Sequence, residues 1–163
     1  MKIGVALGCG GAKGFGHIAY LQAIDEAGLK VDYISGTSMG AFIGAFYAGG
    51  MPTKDIYNLV VNFGLFDIPK VITPSMLSKS GLVKGERIEE FLRNNLPIQR
   101  FEELKIPMKI SATDYRNKTE YVFSTRDIVP AIRASISIPG IFQPYHFQDK
   151  LLVDGALVNS CAF

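Results

Sequence analysis

Val31-Asp32-Tyr33-Ile34-Ser35-Gly36-Thr37-Ser38-Met39-Gly40-Ala41-Phe42-Ile43-Gly44-Ala45-Phe46-Tyr47-Ala48-Gly49-Gly50 is the stretch whose reading decides the fold. Val31 to Ser35 reads as a short buried strand. Ala41 to Ala48 reads as an apolar helix stopped by paired glycines, and only Gly36-Thr37-Ser38-Met39-Gly40 separates the two. The same order occurs just upstream. Lys2 to Leu7 is an apolar run broken by Gly8, Gly10, Gly11, Gly14 and Gly16, with Phe15, Ile18, Leu21 and Ile24 at helical spacing up to Gly28. Two consecutive strand, turn and helix units predict parallel strands joined by crossover helices.

Further along, Thr53 caps a predicted helix to Phe63, and Glu86 to Leu96 is amphipathic again. Pro107 to Asp114 and Thr119 to Ser124 read as a strand pair around the polar turn Arg116-Asn117-Lys118. Asp127 caps a predicted helix to Ser135, an aromatic segment runs from Pro139-Gly140 to Phe147, and Leu151 to Val153 is a last short strand meeting Asp154-Gly155. With no repeat, linker or low-complexity tract, residues 1–163 are expected to form one α/β domain, its mostly parallel sheet sandwiched by helices.

A chain of 163 residues can bury a core without disulfide or metal staples. Its 17 Lys and Arg against 15 Asp and Glu leave a net charge of +2 with no basic stripe, which argues against a nucleic-acid partner. Hydrophobic residues make up 48% of the sequence and mean hydropathy is +0.20, yet no apolar run approaches the roughly 18 residues that cross a bilayer. The expectation is a soluble protein, or one resting peripherally on a membrane surface. Met1 to Cys9 superficially resembles a short lipoprotein signal. Its apolar part, Ile3 to Leu7, is shorter than a usual signal core, and the residues after Cys9 read as working fold. Cys9 and Cys161 lack any C-x-x-C spacing and are read as small, half-buried fillers in a reducing, cytoplasmic setting, with Cys9 close to the site. No metal or cofactor is expected.

Gly36-Thr37-Ser38-Met39-Gly40 is a G-x-S-x-G pattern between a strand and a helix. There a serine sits in a strained turn, and Gly36 and Gly40 let strand and helix pass closely. The helix N-terminus that follows favours a developing oxyanion. The glycine-rich segment Gly8-Cys9-Gly10-Gly11-Ala12-Lys13-Gly14 also follows a strand. As a dinucleotide fingerprint it fails, because Lys13 takes the last glycine position and Asp32 precedes the second strand instead of ending it. As a phosphate loop it fails because Gly14, not Ser or Thr, follows Lys13. What remains is an oxyanion hole built from backbone amides at Gly10, Gly11 and Ala12, each donor being worth about 3 kcal/mol. Lys13 adds positive field or is simply solvated.

The base has two candidates. Asp154, held in a turn by Gly155 after an apolar strand, needs only to receive the serine proton, and partial burial would raise its pKa. A histidine triad would run Ser38, Asp114, His146. His17, in the first helix, reads as a packed or surface residue.

These blocks together resemble the bacterial patatin-like phospholipases. The similarity covers nearly the whole chain: the oxyanion block from Gly8 to Gly14, the elbow Gly36 to Gly40, the segment Ala131 to Pro144, and Asp154-Gly155-Ala156. The resemblance implies a three-layer α/β/α fold, a Ser38–Asp154 dyad, an oxyanion hole around Gly10 and Gly11, no metal, and a fatty-acyl ester of a lipid as substrate. Ala156 stands where many members carry a second glycine, a change tolerated where no positive φ is needed. Family members usually continue past the aspartate with further strand and helix, whereas this sequence stops at Phe163. The expectation is therefore a fragment or truncated domain, or one whose gap another subunit covers; if positions around Leu151, Leu152, Val153 and Leu157 lose cover, the chain is expected to self-associate as a homo-oligomer or to aggregate, and a lipid-binding protein that has lost turnover is a rival reading. Leu59 to Leu82 reads as core plus loop, or as an apolar flap for an acyl chain. A thioesterase using the same dyad is the remaining alternative.

Overall fold

Short apolar runs that end at glycine or a polar residue become three parallel strands, β1 (Gly4–Leu7), β2 (Tyr33–Thr37) and β3 (Met108–Asp114). The computed structural model describes residues 2–63, 83 and 85–162. β4 (Thr119–Phe123) folds back antiparallel on β3 through a turn in which Lys118 takes a φ of 55°. β5 (Tyr145–Phe147) and β6 (Lys150–Asp154) form an antiparallel pair, with β6 antiparallel to β3, so β5 runs with β1, β2 and β3. Most strands of this mixed sheet are thus parallel, and the path across it is β1-β2-β3-β6-β5.

The helices are α1 (Phe15–Glu26), α2 (Met39–Ala48), α3 (Thr53–Phe63), α4 (Glu86–Asn95) and α5 (Ile128–Ser135). Both α1 and α2 stop where glycine allows a left-handed residue: Gly28 at φ 67° with Leu29 N donating to Ile24 O, and Gly50 at φ 91° with Met51 N donating to Phe46 O. Asp127 caps α5 by accepting the Val129 amide at 3.0 Å, worth about 1 kcal/mol, and also pairs with Arg93 of α4. α2 is apolar all round because it is buried all round. Ala41, Phe42, Ile43, Ala45 and Phe46 are fully covered, and Gly44 lets the helix descend onto Leu7, Ile34 and Met108. Burying side chains such as Phe42, Ile43 and Phe46 supplies about 1.5–3 kcal/mol each. The opposite sheet face carries Ser35 and Lys109, and the segment after β6 crosses it, the Ser35 hydroxyl donating to Ala162 O. The whole is an α/β fold with helices flanking the sheet, consistent with a three-layer α/β/α arrangement.

Several expectations are adjusted. β2 lies two residues later than read, because the strand continues through the elbow's first glycine. Tyr145–Phe147, read only as an aromatic segment, becomes a strand because Gln148, at φ 56°, reverses the chain onto β6. β6 is not an uncovered edge. It lies between β3 and β5, and Leu152 and Val153 are buried, whereas Leu157 and Val158 beyond it are exposed. Of the stretch Leu59 to Leu82, only Leu59 to Phe63 at the end of α3 falls within the described residues. No helix among the described residues is long and apolar enough to cross a membrane.

Candidate active site

Two strand tips meet over β3. Along Ile110–Asp114 one edge of β3 is taken by β4. The other edge is shared: β2 pairs with it up to Ser111, and β6 pairs with it from Ala112 onward. Since β6 runs the opposite way, its C-terminal end meets that of β2 head-on, and Thr37 and Asp154 are partners of the consecutive residues Ser111 and Ala112. Ser38 and Asp154 therefore occupy facing tips, and the Ser38 hydroxyl donates to Asp154 Oδ2 at 2.7 Å.

The backbone is shaped for this meeting. Ser38 holds φ 56° and ψ −120°, a conformation that costs a non-glycine residue about 1–3 kcal/mol and lifts its side chain out of the turn. A Cβ at Gly36 would stand 2.6 Å from Ala41 Cα, and one at Gly40 would fall on the Leu7 carbonyl oxygen. Neither glycine can be replaced without moving α2 off β1 and β2. Gly155 has the same role at the other tip, where a Cβ would come within 2.5 Å of Ser111 O and 2.8 Å of Thr37 Cγ2. Ala156 needs no such freedom. It is absent from the positive-φ residues and sits in a short 3₁₀ turn whose amide donates to Asp154 Oδ1 at 2.9 Å.

Both side chains are nearly sealed, Ser38 being 5% and Asp154 4% exposed. Burial pushes the Asp154 carboxyl above its ordinary range, and this wins over the opposing hydrogen bonds from Ser38 and from the Ala156 amide.

The glycine-rich turn packs against the same elbow. Gly10 has φ −167° and ψ −9°, Gly11 takes φ 47°, and a 3₁₀ turn covers Gly11–Gly14, with Ala12 and Lys13 inside it. A Cβ at Gly14 would collide with Met39, so this glycine sets how closely the turn approaches the start of α2. The Lys13 amide closes back on Gly10 O at 2.8 Å, while its side chain is exposed. Cys9 is exposed, not half-buried as expected, because its amide is tied to Ser160 O at the surface; Cys161 is half-buried and both thiols are free.

The histidines lie elsewhere. His17 Nε2 lies 2.8 Å from the Gly8 carbonyl, which fixes the glycine turn to α1. His146 is exposed on β5 and pairs with Leu151, so strand alternation puts it on the opposite face from Tyr145, Leu152 and Asp114. Asp114 is committed to the β3–β4 turn. Its carboxylate accepts from Asn117 Nδ2 at 2.8 Å and faces Lys150 at 3.3 Å, and the Asn117 side chain above all holds its pKa below the ordinary value. The order Ser38, Asp114, His146 is therefore not assembled. Among the described residues, no group of three His, Cys, Asp or Glu side chains is gathered to hold a metal ion.

A family model for patatin-like phospholipases matches residues 5–163. The chain belongs to the patatin-like phospholipase family. An NTE family protein of Mycobacterium tuberculosis is 33% identical over 158 residues, covering 97% of this chain and 43% of its own. The lysophospholipase NTE1 of Saccharomyces cerevisiae is 30% identical over 160 residues, covering 97% of this chain and 10% of its own. The chain thus spans less than half the length of these relatives. Crystalline VipD from Legionella pneumophila shares the fold with a TM-score of 0.79 at 16% identity, over 97% of this chain and 46% of VipD. The patatin-like sequence and the fold shared with VipD agree.

Three residues around the patatin-like site were given no role from sequence. Arg133, buried in α5, donates to Ser137 Oγ at 2.7 Å and Gln143 O at 3.2 Å, and lies over the rings of Phe142 and Tyr145. Ser135 Oγ lies 2.7 Å from the Ser38 amide nitrogen, and Ser137 O accepts the Asp154 amide at 3.0 Å. The signal was present: one charge and two hydroxyls interrupt the otherwise apolar run Ala131 to Ile138.

Proposed function

We propose that the chain hydrolyses acyl esters of lipids through a Ser38–Asp154 dyad. The observation that carries this reading is the 2.7 Å hydrogen bond from a serine in a strained elbow to a buried carboxylate with a raised pKa. Ser38 Oγ attacks the ester carbonyl and its proton passes to Asp154 Oδ2. Amides of the turn at Gly10, Gly11 and Ala12 receive the negative oxygen; the Ser38 amide, already bonded to Ser135, does not. As the tetrahedral intermediate collapses, the alcohol leaves with the proton from Asp154. Water, deprotonated by the same carboxylate, then attacks the acyl-serine, and Asp154 returns that proton to Ser38 Oγ as the acid leaves.

The substrate class follows the lysophospholipase relatives: a fatty-acyl ester such as a lysophospholipid. Turnover of lysophosphatidylcholine and of p-nitrophenyl butyrate, with slower turnover of palmitoyl-CoA, is the expected pattern. Faster palmitoyl-CoA cleavage would make the chain a thioesterase, and lysolipid binding without turnover would make it a lipid-binding protein.

The dyad sets a pH dependence with a definite sign. Only ionised Asp154 accepts the proton, so kcat/KM falls as pH drops through the raised pKa. The acid limb of the kcat/KM profile is expected above the ordinary carboxylate value of 3.8, and to vanish from the residual rate of Asp154→Asn. A limb at or below 3.8 would remove Asp154 as the base.

A further inference from the structure

We propose that Ser135 is a positioning residue, with the C-terminal end of α5 acting as a splint between the tips of β2 and β6. The proposal rests on the Ser38–Asp154 reading above. The need for a splint comes from the topology. Ser38 and Asp154 end two different strands that meet head-on along one edge of β3, so each tip is registered to β3 but no ladder joins one tip directly to the other. A dyad demands a fixed distance, and a displacement near 1 Å is enough to cost about 100-fold in rate.

The last residues of α5 and its exit touch both tips and the strand beneath them. The Ser135 hydroxyl is fully buried, accepts the Ser38 amide at 2.7 Å and donates to Ser111 O at 2.6 Å. It thereby ties the nucleophile's own backbone to the β3 residue opposite Thr37. Two residues on, Ser137 O accepts the Asp154 amide at 3.0 Å. Ser137 is held in turn: its hydroxyl donates to Arg133 O at 2.8 Å and accepts from Arg133 at 2.7 Å. One short segment therefore grips the backbone of the nucleophile and that of the base. The Ser135 contact is also what keeps Ser38 at φ 56°. The strained residue caps α2, and its amide points away from the helix into an acceptor supplied from elsewhere in the chain.

In Ser135→Ala the acceptor is lost, and the Ser38 elbow relaxes. With p-nitrophenyl butyrate, kcat is expected to fall about 10–100-fold with KM within about 3-fold of wild type. Inactivation by a fluorophosphonate directed at Ser38 should slow in parallel. Ser135→Cys, which keeps a weaker acceptor, should lie between wild type and alanine. A residue that serves stability alone would lower the unfolding midpoint and leave kcat per folded molecule unchanged, and that result would overturn the proposal. Should both variants fail to fold, the wild-type protein still decides the matter by amide exchange. The Ser38 amide is expected to be protected at least about 1,000-fold, and exchange at the rate of an open turn would overturn the splint. Ser38→Ala in the same assay separates the two layers. An active Ser38→Ala removes the dyad itself, whereas an inactive Ser38→Ala beside a fully active Ser135→Ala removes only the splint.

Discussion

Ser38→Ala is expected to lower kcat for p-nitrophenyl butyrate by at least about 1,000-fold while leaving the fold in place. The change removes one oxygen from a side chain that is 5% exposed and whose described side-chain bond is the one to Asp154. The rest of the elbow is untouched, because Gly36 and Gly40 set the approach of α2 to the strands and the Ser38 amide bonds to Ser135 through the backbone. Alanine and serine bear the same strain at φ 56°, so the unfolding midpoint should stay near that of wild type. What remains of the rate should be no more than the oxyanion hole and substrate binding supply without a nucleophile. Circular dichroism and initial rates on the two proteins check this, and retention of more than a few per cent of kcat would remove Ser38 as the nucleophile.

Asp154→Asn is expected to be nearly as inactive and no less stable. Asparagine keeps the shape and can still accept the Ala156 amide, but its amide group presents a donor or a feeble base to the serine proton. The stability follows from the sign of the pKa shift. The folded-state pKa is raised, so the folded protein favours protonated Asp154, and this group's contribution to stability is fully present below its unfolded pKa and is lost as pH rises through the folded one. At neutral pH, above the unfolded pKa, the cost of the buried carboxylate is felt. Replacing it with a neutral amide should therefore raise the unfolding midpoint relative to wild type at pH 7, with the gap narrowing as pH falls toward the unfolded pKa. Thermal unfolding at several pH values, alongside kcat, checks both halves. A variant destabilised at neutral pH would mean that the charge holds the fold together instead of straining it.

The proposed site, in which a buried carboxylate is expected to cost stability, also bears on what could be read from the sequence. Strands and helices whose signals are local were legible: the glycine stops at Gly28 and Gly50, the Asp127 cap, and the hairpin around Arg116-Asn117-Lys118 all act within a few residues of the elements they bound. The elbow was legible because its glycines answer a local crowding problem, and Asp154 because Gly155 marks the other crowded tip. The head-on meeting of β2 and β6 was not legible. It depends on which edge of β3 each strand takes, and nothing in Leu151 to Asp154 encodes that choice locally. For the same reason β6 was read as the end of the sheet, when β5 pairs beyond it. Ser135 and Ser137 escaped notice because their contacts are long-range: the Ser135 hydroxyl gains its meaning only from the Ser38 amide about 100 residues earlier, and Ser137 acts on Asp154 through its main-chain carbonyl.

The central claim is that Ser38 carries the acyl group, and covalent trapping tests it most directly. The wild-type protein would be incubated with a long-chain alkyl fluorophosphonate, which reacts with an activated serine, then digested and read by peptide mass spectrometry. The expected result is a single phosphonyl adduct on Ser38, formed in step with loss of ester hydrolysis and absent from Asp154→Asn over the same period. An adduct on another residue, or loss of activity with Ser38 unmodified, would contradict the account.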